Sequence, residues 1–240
     1  MYGIDPRTAS PDRWSLAPED TLGLVFWTRN PASLIQDKGL LEPYQKVIHF
    51  TLTGWEEVEH RAPTLEEGLE LMARTAEAFG PEKIVWRFSP IPDVPDVLER
   101  FCRISQRVAE LGITQCYLAY LQPNDLMQEA RSKEIRRQNL VSMAVLKAPP
   151  LEARLCNEDD TFREGDLDLS IFMPYGVCED GSRFASAVVT EGCGCALMVD
   201  PFTVNESCIY GCKFCYAADK SLSPKKRSTT TSVFRLPLSP

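Results

Sequence analysis

The sequence lacks any apolar run that approaches the ~20 residues needed for a membrane-spanning helix. It also lacks an N-terminal leader in which a basic segment precedes an apolar one, so we expect a cytoplasmic protein without membrane contact. Acidic residues outnumber basic ones, and the formal net charge of −8 argues against a broad nucleic-acid-binding surface. Neither a glycine-rich phosphate loop nor a nucleophile elbow is present.

Histidine is scarce, whereas cysteine is abundant. The two histidines, His49 and His60, show no metal-ligand spacing, so we expect hydrogen-bonded structural roles for them. Nine cysteines is an odd number, and with no sign of export a disulfide framework is a poor interpretation. Six of the nine lie between Cys178 and Cys215. Clustered cysteines in a cytosolic chain are more often ligands of a metal ion or an iron–sulfur cluster.

Short apolar runs alternate with amphipathic stretches before residue 157. The runs are rich in β-branched and aromatic residues and end in turn residues, which predicts buried strands. These strands are predicted at 22–27, 47–53, 83–88, 115–121 and 151–156. Helices are predicted between them at 65–79, 96–111 and 125–146. Thr64 and Glu67 predict a capping box for the first helix. This order predicts an α/β fold with a parallel sheet covered on both faces.

Composition divides the chain into four segments. Residues 1–19 predict an irregular entry segment, and residues 20–156 carry the βα repeats. Residues 157–218 lose the helical period and gain cysteine and glycine, so we expect them to close the fold and carry the metal site. Residues 219–240 are polar and of low complexity, which predicts a disordered tail.

Polar residues follow several of the predicted strands. In α/β barrels and open parallel sheets, such strand ends form the ligand-binding face. The alternative is that each residue only solvates the entrance of a loop. As a set they predict a substrate-binding face, made of Arg29, Asn30, Thr51, Thr53 and Arg87.

The sharpest motif is C-x3-C-x2-C, formed by Cys208, Cys212 and Cys215. Three thiolates on one tight loop can hold three irons of a four-iron cluster and leave the fourth iron open. The competing interpretation is a structural zinc site, which needs two close pairs of ligands. Cys193 and Cys195 could supply the pair that complements Cys212 and Cys215. The three-cysteine spacing favours the iron–sulfur interpretation.

The other cysteines divide into three groups. Cys178, Cys193 and Cys195 predict a second site for a cluster or zinc, and the alternative is that they are free thiols. Cys102 lies in a predicted amphipathic helix and Cys116 in a predicted strand, so we expect both in the core. Cys156 is not assigned.

The motif and its neighbouring aromatic residue, Phe214, resemble the signature of radical S-adenosylmethionine enzymes. The resemblance implies a [4Fe–4S] cluster that binds S-adenosylmethionine, with Phe214 and Tyr216 close to the adenosyl group. Gly211 gives the loop the freedom to wrap the cluster. The implied reaction is release of a 5′-deoxyadenosyl radical and hydrogen abstraction from an unknown substrate. A catalytic protein of this type would need a reductant such as flavodoxin or ferredoxin.

The chain as a whole resembles a bacterial and archaeal family of unknown function. The resemblance is carried by residues 24–31, 50–54 and 81–88 and by the C-terminal cysteines. It implies a partial TIM-like (βα)n barrel that is radical-SAM-like and circularly permuted. The cluster loop then lies near the C-terminus, and the apolar residues 196–199 take the place of the usual first strand.

Three departures from the family pattern concern the catalytic prediction. Ser89 stands where the family has aspartate, and the acidic residue expected near Gln122 is absent. Family members begin with a further strand that holds a Ser-Arg-Arg-Thr-Asp stretch, which predicts that this chain is a fragment or a reduced member. These departures favour the alternative function, a non-catalytic binding or regulatory protein that holds zinc or an iron–sulfur cluster.

Overall fold

A computed structural model of the chain describes residues 2–4, 11–13, 15–57, 59, 61–91, 96–120, 151–156, 172–173 and 210. The predicted helix at 125–146 and the predicted tail at 219–240 lie outside the described residues. The same holds for the predicted cysteine-rich segment 157–218, except for residues 172–173 and 210. In the described part, no helix has the length and apolar character needed to span a membrane.

The described strands form two sheets. Strands β1 (Tyr2–Ile4) and β2 (Pro11–Arg13) pair antiparallel within the segment predicted to be irregular. The main sheet contains six parallel strands in chain order. These are β3 (Leu24–Thr28), β4 (Lys46–Thr51), β5 (Ile84–Ile91), β6 (Gln115–Tyr120), β7 (Glu152–Cys156) and β8 (Phe172–Met173). All five predicted strands are present as β3 to β7, and the α/β class is confirmed.

Three helices connect the first four strands of the main sheet. They are α1 (Ala32–Gln36), α2 (Leu65–Phe79) and α3 (Val97–Glu110), and short 3₁₀ turns span Pro18–Asp20, Lys38–Leu41 and Pro81–Lys83. Each strand lies beside the one that precedes it in the chain, and crossovers between parallel strands are almost always right-handed. Because the strand order never reverses in this sheet, successive crossovers fall on the same face.

Helix α2 has clear start and stop signals. The Thr64 hydroxyl accepts a hydrogen bond from the Glu67 backbone N–H at 3.2 Å, and the Glu67 carboxylate accepts one from the Thr64 backbone N–H at 2.8 Å. The predicted capping box is therefore confirmed, and such a cap contributes about 1 kcal/mol. The helix ends at Gly80, whose φ of 90° is unfavourable for residues with a Cβ atom.

The larger core lies on one face of the main sheet, called the helix face here and defined by Phe50, Trp86, Phe88 and Cys116. Helices α2 and α3 cover this face with Leu69, Met72, Phe101, Ile104 and Val108. The Trp86 ring stacks on the Phe101 ring with centroids 5.4 Å apart. The Trp86 indole N–H donates to the Leu52 carbonyl at 2.8 Å, so its polar atom is satisfied within the core.

The opposite face of the sheet, called the second face here, is defined by Val25, Val47, His49, Val85, Arg87 and Tyr117. Residues of the two faces alternate along each strand, because successive side chains of a strand point to opposite sides of the sheet. Val47, Val85 and Tyr117 form a second buried cluster, with Val25 packed against it. The central strands β4 to β6 are therefore buried on both faces, as the continuous apolar runs predicted.

Candidate functional site

Polar and charged side chains meet where β3 and β4 end. Arg29 directly follows β3, and Thr53 lies two residues beyond the end of β4. Glu59 lies in the loop that leads to α2. We call Arg29, Thr53 and Glu59 the strand-end cluster. Because carboxyl ends of parallel strands share one edge of a sheet, this cluster occupies the edge at which α/β proteins bind ligands.

The strand-end cluster is built around the Glu59 carboxylate. The two terminal nitrogens of the Arg29 guanidinium donate to its two oxygens at 2.8 and 2.6 Å. The Thr53 hydroxyl also donates to Glu59, at 2.7 Å. The side chain of Glu59 is 3% exposed, and that of Arg29 is 14% exposed. A bidentate ion pair at this depth fixes the ends of β3 and β4 relative to each other.

The loop that carries Glu59 is anchored on both sides. The Glu59 backbone N–H donates to the Trp55 carbonyl at 2.8 Å, and the Trp55 ring is fully buried against Phe88. The guanidinium of Arg100 on α3 lies 4.2 Å from the centre of the Trp55 ring and donates to the Gly54 carbonyl. The position of Glu59 is therefore set by contacts from a helix distant in sequence.

Burial raises the pKa of Glu59 above the ordinary carboxyl value of 4.5. The charge of Arg29 and hydrogen bonds from Thr53 and Arg29 act in the opposite direction, while the charge of Glu57 adds to the rise. Desolvation of a carboxylate is thus the dominant influence, and Arg29 limits its effect on the pKa.

A second group of polar and aromatic residues lies on the second face. The imidazole Nδ1 of His49 lies 3.3 Å from a terminal nitrogen of Arg87. Because a guanidinium can only donate, Nδ1 accepts, and the neutral ring then carries its proton on Nε2. The rings of Trp27 and Tyr117 approach the His49 ring edge-on, with centroids 6.1 and 5.3 Å away. His49 is fully buried, in keeping with the hydrogen-bonded structural role predicted for it.

The five predicted substrate-face residues separate into different environments. Arg29 and Thr53 belong to the strand-end cluster, while Arg87 contacts His49. The side-chain oxygen of Asn30 accepts from the Ala32 backbone N–H at 3.0 Å, which supports the start of α1. Thr51 is the last residue of β4 and lies opposite Arg87 in the parallel register. Their role in binding a substrate stays a prediction.

Two cysteines lie in the core as predicted. Cys116 on β6 is fully buried and Cys102 on α3 is half-buried, and both carry free thiols. Burial raises the pKa of the Cys116 thiol, which makes this cysteine a poor nucleophile and a poor metal ligand.

The predicted metal and cofactor residues lie outside the described residues. They are Cys208, Cys212 and Cys215, the second set of Cys178, Cys193 and Cys195, and the cofactor contacts Gly211, Phe214 and Tyr216. From the segment between Cys208 and Cys215, only Tyr210 is described, and it is half-buried. In the part of the chain that the structure describes, no group of three or more His, Cys, Asp or Glu side chains could hold a metal ion.

Glu59 was not among the residues predicted from the sequence to form a site. It follows no strand directly, it lies outside any predicted helix, and its neighbours show no periodic pattern. Its partner Arg29 is 30 residues earlier in the chain. The one local signal is that Glu59 is a charged residue in the connection between a buried strand and a helix. Solvated residues without a site role are common in such connections, so this signal does not single out Glu59.

A parallel α/β sheet with a buried polar cluster at its strand ends defines the structural class of this protein. A family model described as a domain of unknown function, DUF1848, matches residues 4–217. The chain therefore belongs to this family, which confirms the predicted membership of a family of unknown function. No curated protein and no solved structure matches the chain.

Proposed function

We propose that this protein is an iron–sulfur protein of the radical S-adenosylmethionine type. The observation that carries the proposal is the C-x3-C-x2-C spacing of Cys208, Cys212 and Cys215. Three thiolates match three of the irons of a [4Fe–4S] cluster, whereas a structural zinc ion takes four protein ligands. The donor set therefore fits a cluster that keeps one iron open to a ligand from outside the protein.

The fold proposed for this function is a partial (βα)n barrel of TIM-like type, circularly permuted so that the cysteine loop comes last. Two features support it. The six strands are parallel and follow in chain order without reversal, as they do in such barrels. In addition, α2 and α3 cover only the helix face, and yet residues of the second face are buried as well. Curvature of the sheet into a barrel would bury the second face as the inner face of that barrel.

The proposed roles of the chain's residues follow from their chemistry. Cys208, Cys212 and Cys215 hold the cluster, and Phe214 and Tyr216 contact the adenosyl group. When bound, the cluster supplies the electron that cleaves S-adenosylmethionine and yields a 5′-deoxyadenosyl radical for hydrogen abstraction. The strand-end residues orient the substrate, and the buried second face excludes water from it. Cys178, Cys193 and Cys195 form a second site for zinc or another cluster.

Metal analysis of the anaerobically purified protein tests this proposal. We expect a brown protein with about four irons and four sulfides per chain, and about twice as many if the second site holds another such cluster. Zinc without iron would sink the proposal. The measurement requires no knowledge of the substrate.

A second candidate function is that of a binding or regulatory protein that holds zinc or a cluster without turnover. Ser89 favours it, because this half-buried residue of β5 replaces an aspartate of the family pattern at a strand end. A serine hydroxyl is a far weaker proton donor and acceptor than a carboxyl group near neutral pH. Iron in the protein together with no cleavage of S-adenosylmethionine would support this second function.

A further inference from the structure

An arginine at a strand end looks, in sequence, like a receptor for an anionic substrate or for the methionyl carboxylate. The structure gives Arg29 a different environment, because both terminal nitrogens of its guanidinium donate to Glu59. The carboxylate of Glu59 is almost completely buried beside Arg29, so water screens the pair poorly and the two charges largely cancel. A phosphate or carboxylate that approaches Arg29 would meet a neutral pair.

The surroundings also disfavour an anion. Glu57 contributes a further negative charge near Glu59, and the whole chain carries a net charge of −8. Thr53 is fully buried and its hydroxyl donates to Glu59, so the side chain of Arg29 is the member of the cluster that a ligand can reach. Trp27, two residues before Arg29, is 44% exposed and offers an apolar surface for a ring. Neutral hydrogen-bonding groups and an aromatic surface suit an uncharged ligand.

We propose that Glu59 is a specificity-determining residue: it cancels the charge of Arg29, so that the strand-end cluster accepts a neutral carbonyl or hydroxyl group of the substrate and rejects phosphate and carboxylate. This rests on the proposed role of the strand ends as the substrate face. The guanidinium donors that Glu59 does not use can bind such an oxygen without the cost of stripping water from a charged ligand.

Phenyl phosphate is the probe that tests this proposal, because it combines a ring with an anion. Its binding to the full-length, anaerobically purified protein is measured by calorimetry at about pH 8, well above the ordinary carboxyl range. The Glu59→Gln variant keeps an oxygen for Thr53 and Arg29 but leaves the Arg29 charge uncancelled. We expect this variant to bind phenyl phosphate at least about tenfold more tightly than the wild type, with an affinity that falls as salt rises.

Two further variants separate the role of Glu59 from a general change of charge. Glu57→Gln changes the net charge equally at an exposed position two residues away, and because solvent screens that charge we expect a much smaller gain from it. Arg29→Gln combined with Glu59→Gln removes both partners, and we expect the gain to vanish. Circular dichroism confirms that each variant is folded.

Three outcomes overturn the proposal: no gain in folded Glu59→Gln, an equal gain in Glu57→Gln, and a gain that persists in the folded double variant. Iron analysis of the same samples keeps this result apart from the proposed function. A gain in protein that holds no iron supports the role of Glu59 and removes the radical-enzyme proposal. Iron and turnover without the gain support the radical-enzyme proposal and remove the proposed role of Glu59.

Discussion

The Cys212→Ala variant is expected to lose the iron–sulfur cluster completely. Cys212 is the central cysteine of the C-x3-C-x2-C motif that we propose binds the cluster, and the two remaining thiolates cannot hold a four-iron cluster in place. Iron and sulfide per chain, measured with the visible absorption after anaerobic purification, should fall to background. Cys208→Ala and Cys215→Ala should behave in the same way, because all three cysteines are ligands of the proposed cluster.

Cys102→Ala is the matched control for this experiment. Cys102 is a half-buried free thiol on α3, and it is not one of the motif cysteines. Replacement of its thiol by a hydrogen atom should leave the iron content at the wild-type level. If Cys212→Ala retained wild-type iron, or if Cys102→Ala lost it equally, the assignment of the motif as the cluster site would fail.

The second large effect is expected at the strand-end cluster. Arg29→Met leaves the carboxylate of Glu59 buried with only the Thr53 hydroxyl from the cluster as its hydrogen-bond donor. Removal of one partner from a buried ion pair costs on the order of 3 kcal/mol of unfolding free energy. Denaturant titration near neutral pH measures this loss. Replacement of both partners, Arg29→Met with Glu59→Leu, should recover most of it, because no buried charge then remains.

The loss caused by Arg29→Met should depend on pH. Burial already raises the pKa of Glu59 in the folded protein, and without Arg29 the pKa rises further. The folded state, in which the carboxyl pKa is higher, binds the proton more tightly than the unfolded state. Stability therefore falls as pH rises from the pKa of the unfolded state to that of the folded state. The difference between wild type and variant should therefore be small near about pH 4 and large near about pH 8.

The pair of Arg107 and Glu66 provides the control for this pH dependence. It has bidentate geometry too, with both distances 3.1 Å, but both side chains are exposed. The hydrogen bond with Arg107 lowers the pKa of Glu66, so the loss caused by Arg107→Met also grows from low to high pH, but solvent screens this exposed pair and keeps the loss small. Arg107→Met should cost far less than Arg29→Met. Equal losses for the two variants, or a loss at Arg29 that does not change with pH, would contradict the description of Glu59.

Local patterns in the sequence predicted the strands and helices well. The apolar runs became β3 to β7, and Thr64 and Glu67 form the capping box that their spacing predicts. Such signals lie within a few residues of each other, so a single sequence contains them. Strands β1, β2 and β8 were missed because two or three residues are too few to show an alternating or a continuous apolar pattern.

The candidate site was predictable in position but not in detail. The C-terminal ends of parallel strands lie at the same edge of a sheet. The ends of β3 and β4 were therefore expected to meet, and Arg29 and Thr53 could be placed at one edge. Their shared partner Glu59 could not, because its pairing depends on a loop that Trp55 and Arg100 anchor through contacts distant in sequence. Long-range tertiary contacts of this kind leave no periodic signal. The proposal that the strand-end cluster binds a neutral group rather than an anion depends on that one carboxylate.

The formation of 5′-deoxyadenosine tests the central proposal most directly. The anaerobic protein with its full content of iron and sulfide is mixed with S-adenosylmethionine and a strong one-electron reductant, and the products are separated by chromatography. The proposed function requires 5′-deoxyadenosine in the wild-type reaction and none with Cys212→Ala. A wild-type protein that holds the cluster, remains reduced and yet forms no 5′-deoxyadenosine would contradict it.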